Sequence, residues 1–201
     1  MKTYYKIKSK LKNYFSKPVI PPGYETKRSI LNGYRVKYQL KTLVETGTFM
    51  GETVEYFKNI FDHVISIELS ENLAKQAKEK FRHDSNVEII QGDSGEVLKE
   101  LIKKVNTPVL FWLDGHYSSE FFVGDVLIKT AKGKTDTPVK DELEAILSSS
   151  VYHVILIDDA RGFTGLNDYP SVYQIKKIIK KSGKKYTLSV ENDIIRILPN
   201  I

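Results

Sequence analysis

From residue 42 onward, short apolar runs alternate with segments of helical periodicity, and this pattern limits the folds that the chain can adopt. In each intervening segment, apolar residues recur every three or four positions. Short apolar runs separated by amphipathic helices are typical of βαβ units, in which helices cover both faces of a parallel sheet. The runs cover residues 42–44, 63–67, 87–90, 109–113 and 154–157.

The end of the chain breaks this pattern. Residues 186–190 and 194–198 flank the pair Asn192 and Asp193, which is typical of the turn in an antiparallel hairpin. We therefore predict an α/β fold with a Rossmann-like, doubly wound, mostly parallel sheet of about seven strands and an antiparallel C-terminal hairpin.

A length of 201 residues fits one domain, since domains usually contain roughly 100–200 residues. Residues 1–40 differ from the rest, with a basic start, a Pro-Pro-Gly turn at 21–23 and a polar segment that follows. We predict an N-terminal extension at 1–40, with a short amphipathic helix within residues 4–15, and a ligand-binding domain at 41–201. The polar and aromatic stretch at 115–135 is predicted to be a long loop, a feature that is often functional.

Composition narrows the classes of partner. The chain has no cysteine, which excludes disulfides and thiolate metal sites and favours a cytoplasmic location. No apolar run is long enough to span a membrane. The net charge of +6 comes mostly from lysines in helical segments, so we interpret it as solvated helix faces and expect no nucleic-acid partner.

The first strand is followed by an acid and a glycine turn. Glu45, Thr46, Gly47 and Thr48 lead to Gly51, and paired glycines allow a sharp bend and a close approach to a ligand. The spacing differs from the G-x-G-x-x-G of dinucleotide binding. A glutamate here would repel a pyrophosphate but suits a ligand that carries an ammonium group and a sulfonium.

The next two strands also end in acids. Glu68 lies 17 positions after Gly51, about where a carboxylate accepts hydrogen bonds from ribose hydroxyls. The third strand ends in Gly92, Asp93 and Ser94, where an acid could bind an adenine amino group. Because parallel strands end at one edge of the sheet, we expect these residues to share one pocket.

In this order, the three strand ends resemble the class I S-adenosylmethionine-dependent methyltransferases, over residues 43–198. The resemblance implies that S-adenosylmethionine is the cofactor. It places Glu45 near the methionine amino group, Gly47 and Gly51 along the cofactor, Glu68 at the ribose and Asp93 beside the adenine. It also accounts for the terminal hairpin.

The fourth and fifth strands carry a second group of acids. Asp114 and His116 follow the fourth strand, and Asp158 and Asp159 follow the fifth. Three converging carboxylates would repel one another unless a cation such as Mg²⁺ neutralised them. A wall of the acceptor pocket, or a helix cap without metal, is an equally good interpretation of the Asp158 and Asp159 pair.

This arrangement resembles the cation-dependent O-methyltransferases of the catechol and macrolide-sugar types. The resemblance implies that Asp114, Asp158 and Asp159 hold Mg²⁺ against the acceptor hydroxyl. We predict Asp114 and His116 as catalytic residues, with His116 as the candidate base because an imidazole with a pKa of about 6.5 suits proton removal near neutral pH. The sequence departs from the catechol pattern, since Gly115 intervenes and no lysine adjoins the first aspartate. That departure leaves the base and the acceptor open.

We therefore predict an enzyme that methylates a hydroxyl on a saccharide or small metabolite and that could form a homodimer. Two alternatives are methylation of nucleic acid or protein, and a non-catalytic domain that binds an adenosyl ligand. The sequence after the fourth strand lacks the Asn/Asp-Pro-Pro-Tyr/Phe signature of many nucleic-acid methyltransferases. A binder that does no chemistry has no need for acids on the acceptor side.

Overall fold

The computed structural model describes residues 21–116, 120–123, 126–129, 133 and 135–200, with only the backbone described for 120–123 and 126–129. The helix predicted within residues 4–15 lies outside the described residues. The described residues form the α-helices α1 (Tyr24–Lys37), α2 (Glu52–Phe57), α3 (Glu71–Lys80), α4 (Ser94–Leu101), α5 (Val139–Ser148) and α6 (Val172–Lys181). The strands in the same ranges are β1 (Thr42–Thr46), β2 (His63–Glu68), β3 (Val87–Gln91), β4 (Leu110–Leu113), β5 (Glu120–Val123), β6 (Val126–Lys129), β7 (Val154–Ile157), β8 (Tyr186–Glu191) and β9 (Ile194–Pro199).

Seven strands form one sheet in the order β3-β2-β1-β4-β7-β9-β8. Neighbouring strands from β3 to β7 are parallel, whereas β9 runs antiparallel to both β7 and β8. The chain reverses the direction of strand order between β1 and β4, where open α/β sheets bind ligands at the carboxyl ends of their strands. The predicted fold class, including the C-terminal hairpin, is confirmed.

Alternating strand residues pack against opposite layers of helices. On β1, Val44 packs with the residues of α4, α5 and α6, and Leu43 packs with those of α1, α2 and α3. All four residues of β4 and all four of β7 are buried, as expected for central strands covered on both faces. The carboxyl ends of β1, β4 and β7 are thus held at fixed positions by a core on both sides.

Two elements differ from the prediction. Residues 24–37, expected to be a polar segment, form helix α1, which buries Leu31 against the sheet. The predicted loop at 115–135 contains the antiparallel hairpin of β5 and β6. No helix in the described part of the chain combines the length and the apolar character needed to cross a membrane.

Candidate functional site

The turn after β1 combines three left-handed backbone positions. Gly47, Phe49 and Gly51 have φ values of 86°, 48° and 72°. A bulky residue in this region is a genuine outlier that costs about 1–3 kcal/mol and persists only where its surroundings hold it. The amide of Phe49 donates a 2.9 Å hydrogen bond to Glu68 Oε2, which fixes the turn to the end of β2.

The glycines in this turn are required by neighbouring protein atoms. A Cβ on Gly47 would lie 2.7 Å from the carbonyl oxygen of Asp114, and one on Gly51 would lie 2.8 Å from the Phe81 ring. From the sequence, both glycines were expected to allow a sharp bend and a close approach to a ligand. The observed contacts instead show that Gly47 lets the end of β1 lie directly against the end of β4.

Glu45 is buried at the carboxyl end of β1 and is held by hydroxyl groups. Ser66 donates a 2.6 Å hydrogen bond to Glu45 Oε2, and the Ser66 and Thr48 hydroxyl oxygens are 2.7 Å apart. Burial raises the pKa of Glu45 to about 7, against the opposing effect of the hydrogen bonds from Ser66 and Thr53. Among the ion pairs of the described residues, none involves Glu45.

Glu68 is held by backbone amides. Its Oε2 accepts from Phe49 N and its Oε1 accepts from Ser70 N, both at 2.9 Å. A carboxylate has about four acceptor positions, so each oxygen keeps one for a further donor such as a ribose hydroxyl. Glu45 and Glu68 lie close enough that the charge of Glu68 contributes to the raised pKa of Glu45.

The end of β3 joins this region through the backbone. Gly92 N donates to the carbonyl of Glu68 at 2.9 Å, and Asp93 Oδ1 accepts from Gly95 N at 3.0 Å as the N-cap of α4. A Cβ on Gly133 would lie 3.7 Å from Asp93 Oδ2. Gly133 therefore lies close to Asp93, the residue predicted to bind the adenine.

A buried glutamate that the sequence argument missed lies behind this region. Ser94 donates a 2.6 Å hydrogen bond to Glu142 Oε1, and the hydroxyl of Thr46 lies beside the same carboxyl. Burial raises the pKa of Glu142 to about 7. The signal was present in the sequence, because Glu142 occupies a position of the apolar stripe of α5, between Val139 and Leu143.

Asp114 and Asp158 are neighbours because β4 and β7 end in register. Leu113 pairs with Ile157, and Asp158 N donates to the carbonyl of Leu113 at 3.0 Å. Burial, followed by the charge of Asp158, raises the pKa of Asp114 well above its usual range. The structure thus brings these two predicted site residues together.

Lys27 of α1 is a site residue that the sequence argument missed. Its ammonium group donates to Asp158 Oδ2 in an ion pair between residues 131 positions apart. Burial opposes its charge, but the attraction and hydrogen bond of Asp158, with the charges of Asp114 and Asp159, raise the pKa of Lys27 above its usual value. No sequence pattern links α1 to β7, so the contact between Lys27 and Asp158 could not be predicted from the sequence.

Asp159 is held by a second cation. Its backbone is left-handed, with φ 52°, and Arg161 Nη1 lies 2.9 Å from Asp159 Oδ1. Arg161 also pairs with the buried Asp193, which is in the turn between β8 and β9 and accepts from Arg161 N at 2.8 Å. The C-terminal hairpin therefore reaches back to fix the end of β7.

His116 is enclosed by aromatic rings. Its ring centroid lies 5.5 Å from those of Phe163 and Tyr169, and its Nδ1 is 3.1 Å from Thr137 Oγ1. Burial lowers the pKa of His116 to about 4. The imidazole is therefore neutral near pH 7, but it is a weaker base than the sequence argument assumed.

The carboxylates at this end do not fit the predicted Mg²⁺. Among the described residues, no three His, Cys, Asp or Glu side chains are grouped so that they could hold a metal ion. Asp158 directs one oxygen to Lys27, and Asp159 directs one to Arg161. Two of the three predicted ligands are thus engaged by cations of the chain itself.

Comparison with known proteins shows similarity at the level of structure. No family model matches the chain, and no curated protein matches it. The O-methyltransferase TomG from Streptomyces achromogenes, solved in complex with SAM (S-adenosylmethionine), is 14% identical over 94% of this chain and 86% of TomG, with a TM-score of 0.57. The chain has the Rossmann-like methyltransferase fold.

Two further structures with the methyltransferase fold carry SAH (S-adenosylhomocysteine). The O-methyltransferase from Bacillus cereus is 14% identical to this chain, and the alignment covers 88% of this chain and 82% of the Bacillus chain, with a TM-score of 0.54. The methyltransferase PaMTH1 from Podospora anserina is 14% identical, and the alignment covers 98% of this chain and 96% of PaMTH1, with a TM-score of 0.53. At these identities the methyltransferase fold is the shared property.

Proposed function

We propose that the protein is a SAM-dependent methyltransferase that methylates a hydroxyl on a saccharide or small metabolite. The observation that carries the proposal is the convergence of Glu45, Glu68 and Asp93 on adjoining strand ends, held by hydroxyls and amides rather than by cations. No internal cation competes with a ligand for acids held in this way. The neighbours of the same fold that were solved with SAM or SAH support the choice of ligand.

The predicted cofactor residues receive the following proposed roles. Glu45 would receive the methionine ammonium and Glu68 the ribose hydroxyls, each with an acceptor position left for the ligand. The turn at residues 46–51 would pass along the methionine and sulfur. Gly92, Asp93 and Ser94 would lie beside the adenine. Bound SAM supplies a methyl group that its sulfonium activates for transfer.

On the acceptor side, we assign proton removal to Asp114. Burial and the charge of Asp158 raise the pKa of Asp114, which makes its carboxylate a stronger base than an ordinary aspartate, whereas burial makes the His116 imidazole a weaker base than usual. The acceptor hydroxyl would give its proton to Asp114 as its oxygen bonds to the methyl carbon. The carbon–sulfur bond would break with its electron pair left on sulfur, giving SAH.

Under this proposal, His116 positions the acceptor end instead of accepting the proton. Its contacts with Phe163, Tyr169 and Thr137 connect the ends of β4 and β7 to the start of α5. We also propose a small-molecule acceptor and a cytoplasmic location, the latter because the chain has no cysteine. No step of the proposed transfer passes through Mg²⁺.

Calorimetric titration with SAH tests the proposal. We expect the wild type to bind with a micromolar dissociation constant, on the order of −8 kcal/mol. Glu68→Ala should weaken binding by about 100-fold, because it removes the acceptor of the ribose hydroxyls. Glu71→Ala is the matched control, since Glu71 is an exposed acid at the start of α3.

A wild-type protein that does not bind SAH would disprove the proposal. The melting temperature of Glu68→Ala shows whether the variant folds. Glu68→Gln keeps one acceptor oxygen, so its affinity for SAH should lie between those of the wild type and Glu68→Ala. Binding of SAH without turnover across a broad panel of hydroxyl acceptors would favour the non-catalytic alternative. Turnover on oligonucleotides or protein in place of small acceptors would favour the other alternative.

A further inference from the structure

The acid cluster at the ends of β4 and β7 consists of Asp114, Asp158 and Asp159, and it needs positive charge. Three carboxylates brought together at partly or fully buried positions repel one another unless cations neutralise them. Lys27 and Arg161 supply two positive charges by direct contact with Asp158 and Asp159. Asp114 is in none of the ion pairs found among the described residues, and Arg161 is shared with the buried Asp193, so the internal cations neutralise the acids only in part.

Lys27 is aimed at the cluster by the packing of α1. Leu31 lies four positions later on the same face of the helix, and it is buried against the sheet. That packing directs the stem of Lys27 inward, so that its side chain keeps only 20% of its exposure while Asp158 keeps 1%. A small pocket beneath α1 is lined by Lys27, Asp114, Thr53 and Trp112, among others.

A divalent cation would compete with this ammonium group for the same oxygen. Mg²⁺ needs carboxylate oxygens at about 2.1 Å in near-octahedral geometry, and Asp158 Oδ2 is already engaged by Lys27. Asp158 Oδ1 has no hydrogen-bond partner among the described residues, but Mg²⁺ bound there while Lys27 stayed in place would face the ammonium group in a poorly solvated site. We therefore expect Mg²⁺ and the Lys27 ammonium to compete for Asp158.

We propose that the ammonium of Lys27 occupies the place of the expected divalent cation, as a permanent counter-ion that positions Asp158 and leaves Asp114 to face the acceptor. This inference rests on the proposed function for its role in methyl transfer. The occupancy of the cation position by Lys27 is independent of that function. Lys27 is thus a positioning residue, and transfer proceeds without added metal.

Binding of Mn²⁺, followed by electron paramagnetic resonance and calorimetry, tests the proposal on the full chain. The wild type should bind Mn²⁺ no more tightly than about 1 mM. Lys27→Met removes the competing cation and frees Asp158 Oδ2 beside Asp114, so it should bind Mn²⁺ at least about tenfold more tightly. Lys37→Met is the matched control, because it removes the same charge from an exposed position of α1.

The double variant Lys27→Met/Asp158→Asn sharpens the test. It removes the ion pair from both sides, so it should melt at a higher temperature than Lys27→Met and should not gain Mn²⁺ binding. If Lys27→Met does not fold without metal, we expect it to refold on addition of Mn²⁺ and the double variant to fold without it. Failure of both would overturn the proposal.

Two further outcomes would also overturn it. The first is equal Mn²⁺ affinity of the wild type and Lys27→Met, which would leave Lys27 no role at the cation position. The second is the absence of Mn²⁺ binding in a folded Lys27→Met variant, which would mean that the acids do not form one cluster. Binding of SAH is measured separately in each variant, so failure of the methyltransferase proposal is distinguishable from failure of this one.

Discussion

The two halves of the site hold their acids by different means. At the ends of β1, β2 and β3, the partners of Glu45, Glu68 and Asp93 are hydroxyls and backbone amides. At the ends of β4 and β7, the partners of Asp158 and Asp159 are Lys27 and Arg161. Neutral donors leave the first half attractive to a cationic ligand, whereas internal cations leave little charge in the second half for an external metal.

The largest expected effect comes from the point where the two halves touch. Gly47→Ala would place a Cβ 2.7 Å from the Asp114 carbonyl oxygen at a φ of 86°, and the clash and strain should cost about 4 kcal/mol of unfolding free energy. Urea denaturation measures the loss, and SAH affinity should fall as well, since the turn must move.

Gly33→Ala is the control for that experiment. Gly33 is inside α1, and a Cβ there would meet nothing within 4 Å. The higher helix propensity of alanine should stabilise the protein by about 0.5–1 kcal/mol. If both variants had the same stability, the close contact between the two halves would be wrong.

A smaller effect should come from Glu142, which is held by neutral groups behind the first half. Because its pKa is raised to about 7 in the folded protein, its contribution to stability is complete at acid pH and is lost as pH rises through about 7. Glu142→Gln removes this loss. The unfolding free energy of Glu142→Gln minus that of the wild type should therefore increase by about 2 kcal/mol as pH rises from about 5 to about 7.

Denaturation curves at several pH values measure this difference. Glu144→Gln on the exposed side of α5 is the control, and its unfolding free energy should change with pH in the same way as that of the wild type. If the unfolding free energy of Glu142→Gln also changed in that way, Glu142 would ionise as an ordinary surface glutamate.

The smallest effect concerns ligand affinity at the neutral-donor half. A raised pKa of about 7 means that Glu45 gains its charge as pH rises from about 6 to 8, and an ammonium ligand prefers the charged form. SAH should therefore bind about tenfold more tightly at about pH 8 than at about pH 6. Glu45→Gln should bind weakly at both values, and a pH-dependent affinity in that variant would assign the effect to another group.

Sequence patterns identified the sheet because each of its parallel strands is an apolar run set by local burial. They also located the acids, since the carboxyl end of a strand can be read from where its apolar run stops. Helix α1 was missed because Leu31 is its only buried residue and Gly33 interrupts it, so its periodicity is weak. The β5–β6 hairpin was missed because its two strands are only four residues each.

The partners of the acids were less accessible to sequence reasoning than the acids themselves. Lys27 contacts Asp158 only because helix α1 packs on a strand that is distant in the sequence. Nothing in the sequence distinguishes this lysine from the exposed ones. Glu142 was detectable in principle, as a charged residue at an apolar position of α5. The role of Gly47 was assigned to the ligand, because the approach of β4 to the turn depends on strand order.

The junction of α1 with β9 implies an order of assembly. Arg196 donates to the hydroxyl of Tyr34 across 162 positions of sequence, and Ile194 shares a core cluster with Leu31. Docking of helix α1 is therefore completed only when the C-terminal hairpin is in place. The helix that carries Lys27 is thus fastened from the opposite end of the sequence, so that loosening the hairpin should also loosen the cation that holds Asp158.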